Sequence, residues 1–239
     1  MRLLLLSNSS NYGQGYLAHA AGEITGLYGK AGTVLFVPFA LHDQAAYTRR
    51  AADRLAELGY RVEPLVEGPD APAAVARAEA IFVGGGNTFR LLDRLQRCGA
   101  LEAIRRAARK GTPYMGASAG TVIAGPTIRT TNDMPIVEPV SLDALGLVSF
   151  QINCHYLDAD PASRHMGETR EERLTQFLED NDVVVAGLRE GAMLRIEDPD
   201  AGAARVHLAG TSGARIFRRG APPAEAAPAA EITQLLRPS

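Results

Sequence analysis

The sequence predicts an α/β fold: a mostly parallel, doubly wound sheet with antiparallel edge strands near the C-terminus. In the first half, short apolar segments alternate with segments of helical periodicity. The apolar segments lack period-two alternation, which is typical of strands covered on both faces. Strict alternation of strand and helix implies right-handed crossovers and therefore a parallel sheet.

The first half supplies five predicted strands and five predicted helices. The strands are expected at 2–6, 33–37, 61–65, 80–83 and 113–115. The helices are expected at 14–28, 43–58, 71–78, 88–97 and 101–109. In such sheets ligands bind at the carboxyl ends of the strands. The loops at 7–15, 84–87 and 116–120 follow strands and are rich in glycine, serine and asparagine, so we expect them to line a cleft.

The second half departs from this alternation. Residues 127–139 form a polar segment too long for a tight connection, which is typical of a functional loop. Thr169 and Glu172 fit a capping box at the start of a helix. Further strands are predicted at 148–153, 183–186, 192–196, 205–208 and 214–217. We predict one α/β domain over residues 1–220 and an exposed Ala/Pro-rich tail over 221–239, with 232–236 docking back.

Composition narrows the class of protein. The chain has 239 residues, 46% hydrophobic and 22% charged, which is ordinary for a globular domain. A net charge of -2 gives no basic surface for nucleic acid or acidic membranes, and no apolar run is long enough to span a bilayer. Cys98 and Cys154 have no paired spacing, so we expect a reduced, cytoplasmic protein, either a monomer or a homodimer.

A Gly-x-Ser-x-Gly pattern at 116–120 lies between a predicted strand and a predicted helix. Its glycines allow a sharp turn that exposes the hydroxyl of Ser118, as a serine nucleophile requires. A small-residue turn ahead of a helix is the equally plausible structural explanation of the bare motif.

The glycine run at 84–86 follows another predicted strand and precedes a helix. The amides of Gly85 and Gly86, together with that of Ala119 after the serine, could form an oxyanion hole. The simpler explanation is a tight turn in which Asn87 caps the helix, and both can hold together.

A serine nucleophile needs a base, and the chain has five histidines. His155 ends a predicted strand at the sheet edge that carries the other loops, which makes it the best candidate. The others are expected to be surface or packing residues: His19, His42, His165 and His207. Glu190 and Asp133 are the candidate carboxylates for orienting the base, and spacing alone does not choose between them.

Neither a metal nor a cofactor is expected. Cys154 and His155 are adjacent and point to opposite faces of a strand, and no other cluster has ligand spacing. The stretch 13–18 matches a dinucleotide-binding fingerprint, but six residues separate it from the preceding strand and no acidic residue ends the next one.

Seven segments together resemble the S51 family of serine peptidases. They lie at 7–15, 84–89, 116–120, 126–137, 151–155, 167–171 and 187–191. The resemblance implies a fold like that of class I glutamine amidotransferases (flavodoxin-like), with serine in place of their cysteine. It also implies a Ser118–His155–Glu190 triad, with Asp133 as the alternative orienting or substrate-binding residue.

The resemblance further implies a small peptide substrate, namely a dipeptide with an N-terminal aspartate. Its side-chain carboxylate would need a cation, for which Arg170 at a helix N-terminus is the first choice and Arg129 the second. Asn87 is expected to contribute to substrate binding. Alternatives are a cyanophycinase-like enzyme cleaving β-Asp-Arg units, an esterase, and a non-catalytic small-molecule binding protein of the same fold.

Overall fold

The computed structural model describes residues 1–162, 164, 166–198 and 204–237. Within these ranges the chain forms eleven strands and seven α-helices. The strands are β1 (Arg2–Leu6), β2 (Thr33–Val37), β3 (Arg61–Pro64), β4 (Ala80–Val83), β5 (Tyr114–Ala117), β6 (Gln151–Asn153), β7 (Val185–Leu188), β8 (Ala192–Glu197), β9 (Arg205–Gly210), β10 (Ala214–Arg218) and β11 (Ala221–Ala226). The helices are α1 (Ala21–Tyr28), α2 (Gln44–Glu57), α3 (Ala71–Ala76), α4 (Thr88–Arg97), α5 (Ala100–Arg109), α6 (Ala119–Val122) and α7 (Arg170–Asp180).

Seven strands form the central sheet, in the order β3-β2-β4-β5-β1-β8-β9. The first five are parallel, whereas β8 and β9 run antiparallel at one edge. This confirms the predicted mostly parallel sheet with antiparallel edge strands. In β5, Gly116 pairs with both Leu5 and Val83, so the loops after β1, β4 and β5 emerge side by side.

Helices cover the central sheet on both faces. Successive side chains of a strand point to opposite faces, and all four leucines at 3–6 in β1 are fully buried. Leu4 and Leu6 pack in the cluster that holds α1 and α2. Leu3 and Leu5 pack in the cluster that holds α3, α4 and α5. Burial on both sides explains why these strands show no polar alternation.

The late strands do not all extend the central sheet, which corrects the prediction of a single sheet. A second sheet has the order β11-β10-β7-β6. Its inner side chains, among them Ile152 and Ile216, join the main core. On its outer face Val185 and Phe217 pack against Leu174 of α7. Strand pairing between distant segments leaves no local pattern, so the sequence could not assign these strands to a separate sheet.

The Ala/Pro-rich segment is largely exposed, as its composition predicts, but it begins as a strand and not as a free tail. Residues Ala221–Ala226 pair antiparallel with β10, at the edge of the second sheet. Prolines lack an amide donor, and an edge strand tolerates them because one of its sides is unpaired. Ile232 and Leu236 are 1% and 3% exposed, so the residues after β11 also pack onto the protein.

One smaller difference concerns the start of the first helix. The predicted helix at 14–28 begins as a single 3-10 turn at Ala18–Ala20 and becomes α-helical only in α1, after Leu17 at a φ of 55°. The capping box of Thr169 and Glu172 is confirmed at the start of α7. Among the helices described, none is long and apolar enough to cross a bilayer.

Candidate active site

Ser118 occupies a sharp turn between β5 and α6, with φ 49° and ψ -109°. The flanking glycines permit close backbone approaches. A Cβ on Gly116 would lie 2.3 Å from the carbonyl oxygen of Gly120, and a Cβ on Gly120 would lie 2.1 Å from that of Val83. Both distances are impossible for a side-chain atom, so the two glycines are required by packing.

Hydrogen bonds tie this turn to β1. The amide of Ser118 donates to the carbonyl oxygen of Leu6 at 3.0 Å. The buried hydroxyl of Thr121 lies 2.7 Å from the same oxygen and 2.8 Å from that of Gly116. The backbone of Ser118 is therefore fixed, and its hydroxyl faces the loops at the carboxyl ends of the strands.

Ser118, His155 and Glu190 form one hydrogen-bonded chain. The Oγ of Ser118 lies 2.9 Å from Nε2 of His155, and Nδ1 of His155 lies 2.9 Å from Oε1 of Glu190. The side chains of His155 and Glu190 are 41% and 55% exposed, so the chain opens to solvent and to substrate. This geometry allows the imidazole to take a proton from the serine while the carboxylate holds its second nitrogen.

Ser7, in the loop after β1, positions the histidine. The amide of His155 donates to Oγ of Ser7 at 2.9 Å, and that hydroxyl donates to the carbonyl oxygen of Leu188 at 2.8 Å. The amide of Tyr156 donates to the same carbonyl at 2.9 Å. Ser7 is fully buried, and it holds His155 in an unusual backbone conformation with a φ of 53°.

Asn8, the next residue of the same loop, positions the turn that carries Glu190. Its Oδ1 accepts a 2.8 Å hydrogen bond from the amide of Gly191, and its Nδ2 donates to Oδ1 of Asn11 at 2.7 Å. Gly191 directly follows Glu190 in the turn between β7 and β8. Sequence reasoning placed Ser7 and Asn8 in a cleft-lining loop but gave neither a role; their position directly after a buried strand was the available signal.

Asp133 lies elsewhere, in contact with the start of α4. Its Oδ2 accepts hydrogen bonds from the amide and the hydroxyl of Thr88, at 2.7 and 2.5 Å. Asn87 caps the same helix through a 3.0 Å bond from the amide of Arg90, and its Nδ2 donates to the carbonyl of Met134 at 2.8 Å. Asp133 and Asn87 thus fasten the long loop to α4, and it is Glu190 that contacts the histidine.

The glycine turn after β4 lies against the serine, as expected of an oxyanion hole. A Cβ on Gly85 would be 3.1 Å from Cβ of Ser118. The amide of Gly85, however, already donates to the buried hydroxyl of Tyr47 at 2.7 Å. Among the described residues, no acceptor contacts the amides of Gly86 and Ala119. Within the described residues, the N–H groups of Gly86 and Ala119 are therefore available as donors for an oxyanion, whereas that of Gly85 is not.

The two candidate arginines differ in setting. Arg170 is the first residue of α7, is half-buried and has no carboxylate partner in the described part of the chain. Its burial lowers the pKa of its guanidinium. It lines a cavity of about 450 Å³ that also reaches Leu157 and Asp158, just beyond His155. Arg129 is exposed on the loop after α6.

Other reactive side chains are not poised for catalysis. Cys154 lies behind the serine, with its Sγ 3.6 Å from the carbonyl oxygen of Ser118, and burial raises its pKa so that the thiol stays protonated. His42 and His207 are exposed, and His19 is half-buried in the 3-10 turn. His165 lies outside the described residues. No group of three or more potential metal ligands occurs within the described ranges.

Comparison with known proteins adds an independent observation. The model of "Peptidase family S51" matches residues 3–203. The chain is 55% identical over 236 residues to "Peptidase E" of Streptomyces coelicolor, covering 99% of this chain and 95% of that protein. It is 47% identical over 238 residues to "Probable alpha-aspartyl dipeptidase" of Drosophila melanogaster, covering 98% and 97% of the two chains.

A solved structure supports the fold. The crystal structure of a peptidase from an acI-B1 actinobacterium superposes with a TM-score of 0.70 at 15% sequence identity, covering 97% of this chain and 96% of that one. At this identity the likeness concerns the fold alone. The family match over 201 residues and the identity to full-length relatives decide the assignment. The chain belongs to peptidase family S51.

Proposed function

We propose that this protein is a serine dipeptidase that hydrolyses Asp-Xaa dipeptides through an acyl-enzyme. The observation that carries the proposal is the hydrogen-bonded chain of Ser118, His155 and Glu190, with 2.9 Å at each link. The names of the relatives in Streptomyces coelicolor and Drosophila melanogaster point to the same substrate class.

In the proposed reaction, Oγ of Ser118 attacks the carbonyl carbon of the aspartyl residue while Nε2 of His155 takes the hydroxyl proton. Glu190 accepts the hydrogen bond of Nδ1–H, which fixes the reactive tautomer and stabilises the imidazolium. His155 then protonates the leaving amine, and the peptide bond breaks. Water attacks the ester with His155 again acting as base, which releases aspartate and restores Ser118.

The tetrahedral intermediate carries a negative charge on the former carbonyl oxygen. We assign its stabilisation to the amides of Gly86 and Ala119, since the amide of Gly85 is engaged by Tyr47. A well-aimed backbone donor of this kind contributes on the order of 3 kcal/mol to transition-state stabilisation.

Arg170 is the proposed partner of the substrate's side-chain carboxylate. Three features support this role of Arg170. Its guanidinium is half-buried, it has no carboxylate partner among the described residues, and it lines a cavity whose wall also includes Leu157, two positions after His155 in the chain. The N-terminus of α7 adds positive potential at the same point. Arg129, exposed on its loop, is the weaker choice.

We also propose the finer fold assignment, a flavodoxin-like sheet of the class I glutamine amidotransferase type with serine as nucleophile. When β2 is counted as the first strand, the order β3-β2-β4-β5 corresponds to the first four positions of the flavodoxin-like order 2-1-3-4-5. The fifth position is occupied by β1. The two cysteines are unpaired, consistent with the proposed cytoplasmic location.

A dipeptide panel tests the proposal. Wild-type protein and Ser118→Ala would be assayed on Asp-Leu, Glu-Leu, Asn-Leu, Leu-Leu and a β-Asp-Arg dipeptide. We expect hydrolysis of Asp-Leu alone and none by Ser118→Ala. Hydrolysis that survives in Ser118→Ala would overturn the serine mechanism. Equal rates on Asp-Leu and Leu-Leu would overturn the role of Arg170.

The same panel separates the alternatives. A preference for the β-Asp-Arg dipeptide would indicate a cyanophycinase-like specificity of the same chemistry. Cleavage of p-nitrophenyl acetate without any dipeptide would indicate an esterase. Binding of dipeptides without turnover would indicate a binding protein that keeps the fold.

A further inference from the structure

Arg189 lies between the last residue of β7 and Glu190, and its guanidinium binds two carboxylates at once. Nε and Nη2 donate to the two oxygens of Asp158, at 2.6 and 2.7 Å. Nη1 and Nη2 donate to the two oxygens of Glu225, at 3.0 and 3.1 Å. Its Cζ also lies 5.7 Å from the centre of the Tyr156 ring. Four of the five N–H donors of Arg189 are thus engaged by these two carboxylates.

The Arg189–Asp158 pair joins the two segments that carry the base and its carboxylate. Asp158 comes three residues after His155, and Arg189 comes directly before Glu190. The backbone of His155 and Tyr156 is held by Ser7 and Leu188, and the Arg189–Asp158 pair adds a side-chain restraint on the exposed residues that follow. The Arg189–Asp158 contact is therefore an additional link between the segment of His155 and the segment of Glu190.

The bracing continues through β11 to α7. Glu225 of β11 also accepts from Nη1 of Arg215 at 3.2 Å, and Nη2 of Arg215 lies 2.8 Å from Glu171. Glu171 adjoins Arg170 at the start of α7. Glu225 lies beyond residue 203, where the family match ends. A strand outside that match therefore contacts, through two arginines, both the segment of Glu190 and the start of α7.

Isolated surface ion pairs usually contribute little, but bidentate geometry and membership in a network are the recognised exceptions. Arg189 has both, and its side chain is only 23% exposed. A planar guanidinium is also specific in direction, because its donors meet a carboxylate in one plane. Lysine cannot reproduce this geometry.

We propose that Arg189, braced by Glu225, is a positioning residue that sets the separation of His155 and Glu190. Small displacements of catalytic groups reduce turnover strongly. The hydrogen bonds of Arg189 go to Asp158 and Glu225 and not to Arg170, so we expect the loss to fall mainly on kcat. This inference rests on the proposed function for its kinetic readout. Its structural readout, amide exchange at residues 155–158, does not depend on any activity.

The test compares Arg189→Lys and the milder Glu225→Gln with a matched control, Glu197→Gln. Glu197 binds Arg195 at 2.9 and 3.1 Å, at the opposite end of β8 from the site. We expect Arg189→Lys to lower kcat on Asp-Leu about ten- to a hundredfold and Glu225→Gln to lower it less, with KM changed by less than about threefold in each. The control should keep the wild-type kcat. Amide exchange at 155–158 should accelerate only in the test variants.

A double-mutant cycle distinguishes positioning from general stability. In a Glu190→Gln background, Arg189→Lys should cause no further loss of kcat, because the group it positions is already disabled. Multiplicative losses, or unchanged exchange at 155–158, would overturn the inference. Failure of the wild type on every dipeptide would instead overturn the proposed function, and the exchange comparison would still decide whether Arg189 braces the His155 loop.

Discussion

Nδ1 of His155 lies 2.9 Å from Oε1 of Glu190, although 35 positions separate the two residues in the chain. Their strands explain the contact, because β6 and β7 are parallel neighbours and Asn153 pairs with Gly187. The two strands end side by side, and the next residues of each reach the same place. The pairing of β6 with β7 therefore determines that Glu190 is the carboxylate in contact with His155.

Replacing Glu190 with Gln is expected to reduce kcat on Asp-Leu by about 10³–10⁴-fold, because an amide no longer holds the tautomer that exposes a basic Nε2. Steady-state kinetics and a thermal melt would be measured together. A loss of less than tenfold, with the fold intact, would show that another group orients His155.

Replacing Asp133 with Asn is the matched comparison and should give the opposite pattern. Its contacts with Thr88 support α4, so the variant should lose about 1–3 kcal/mol of unfolding free energy. We expect kcat to fall less than tenfold. Urea unfolding and kinetics separate the two effects, and a large loss of kcat at unchanged stability would restore Asp133 as an orienting residue.

Replacing Tyr47 with Phe removes the acceptor for the buried amide of Gly85. An unsatisfied buried donor costs about 1–3 kcal/mol, and the loosened turn should also lower kcat through the neighbouring amide of Gly86. The control is Tyr60→Phe, whose hydroxyl accepts no bond from the site and donates to the carbonyl of Gly29 at 3.3 Å. Equal kinetics in the two variants would contradict the role of Tyr47.

Replacing Gly120 with Ala should strongly destabilise the fold, since the added Cβ would lie 2.1 Å from the backbone oxygen of Val83. Backbone atoms cannot move aside cheaply, and we expect a loss above about 3 kcal/mol in unfolding free energy. Gly15→Ala is the control, because a Cβ there meets nothing within 4 Å. Denaturant unfolding of both variants checks the contrast.

The Arg189–Asp158 contact predicts an acid-dependent loss of stability. Hydrogen bonds from Arg189 hold the pKa of Asp158 below its usual value. The native carboxylate therefore binds a proton less readily than the unfolded one, and its stabilising effect is present above the ordinary pKa, near 3.9, and lost as the pH falls through the lower native value. Urea midpoints of wild type and Asp158→Asn should differ at pH 5 and converge as the pH is lowered below the ordinary pKa of the carboxyl. A constant difference across that range would contradict the coupling.

The sequence predicted the parallel half of the fold well, because β1, β2 and β4 are buried and almost wholly apolar and are bounded by polar turns, whereas the edge strand β3 is polar and exposed. Strands at 2–6, 33–37 and 80–83 agree with the structure to the residue. The cleft-lining loops followed from that half, since carboxyl ends of parallel strands share one edge. Ser118 was indicated by its Gly-x-Ser-x-Gly turn, and His155 by its place at the end of a predicted strand.

Other parts of the site depend on contacts that leave no trace in local sequence. The choice of Glu190 over Asp133 follows from the pairing of β6 with β7, and the engagement of Gly85 follows from a tyrosine 38 positions away. The second sheet was missed for the same reason, and the Pro-rich composition of β11 concealed its strand. These features are determined by pairing between segments that are far apart in the chain, and local sequence patterns carry no information on such pairing.

Strand β11 has a consequence for how the protein can be handled. It shields one side of β10, and its prolines leave few free amides on the outer side. Cutting the chain at residue 220 would convert β10 into an open edge able to pair with another copy. Such a truncation invites self-association and precipitation, so the proline-rich strand serves as a guard against aggregation.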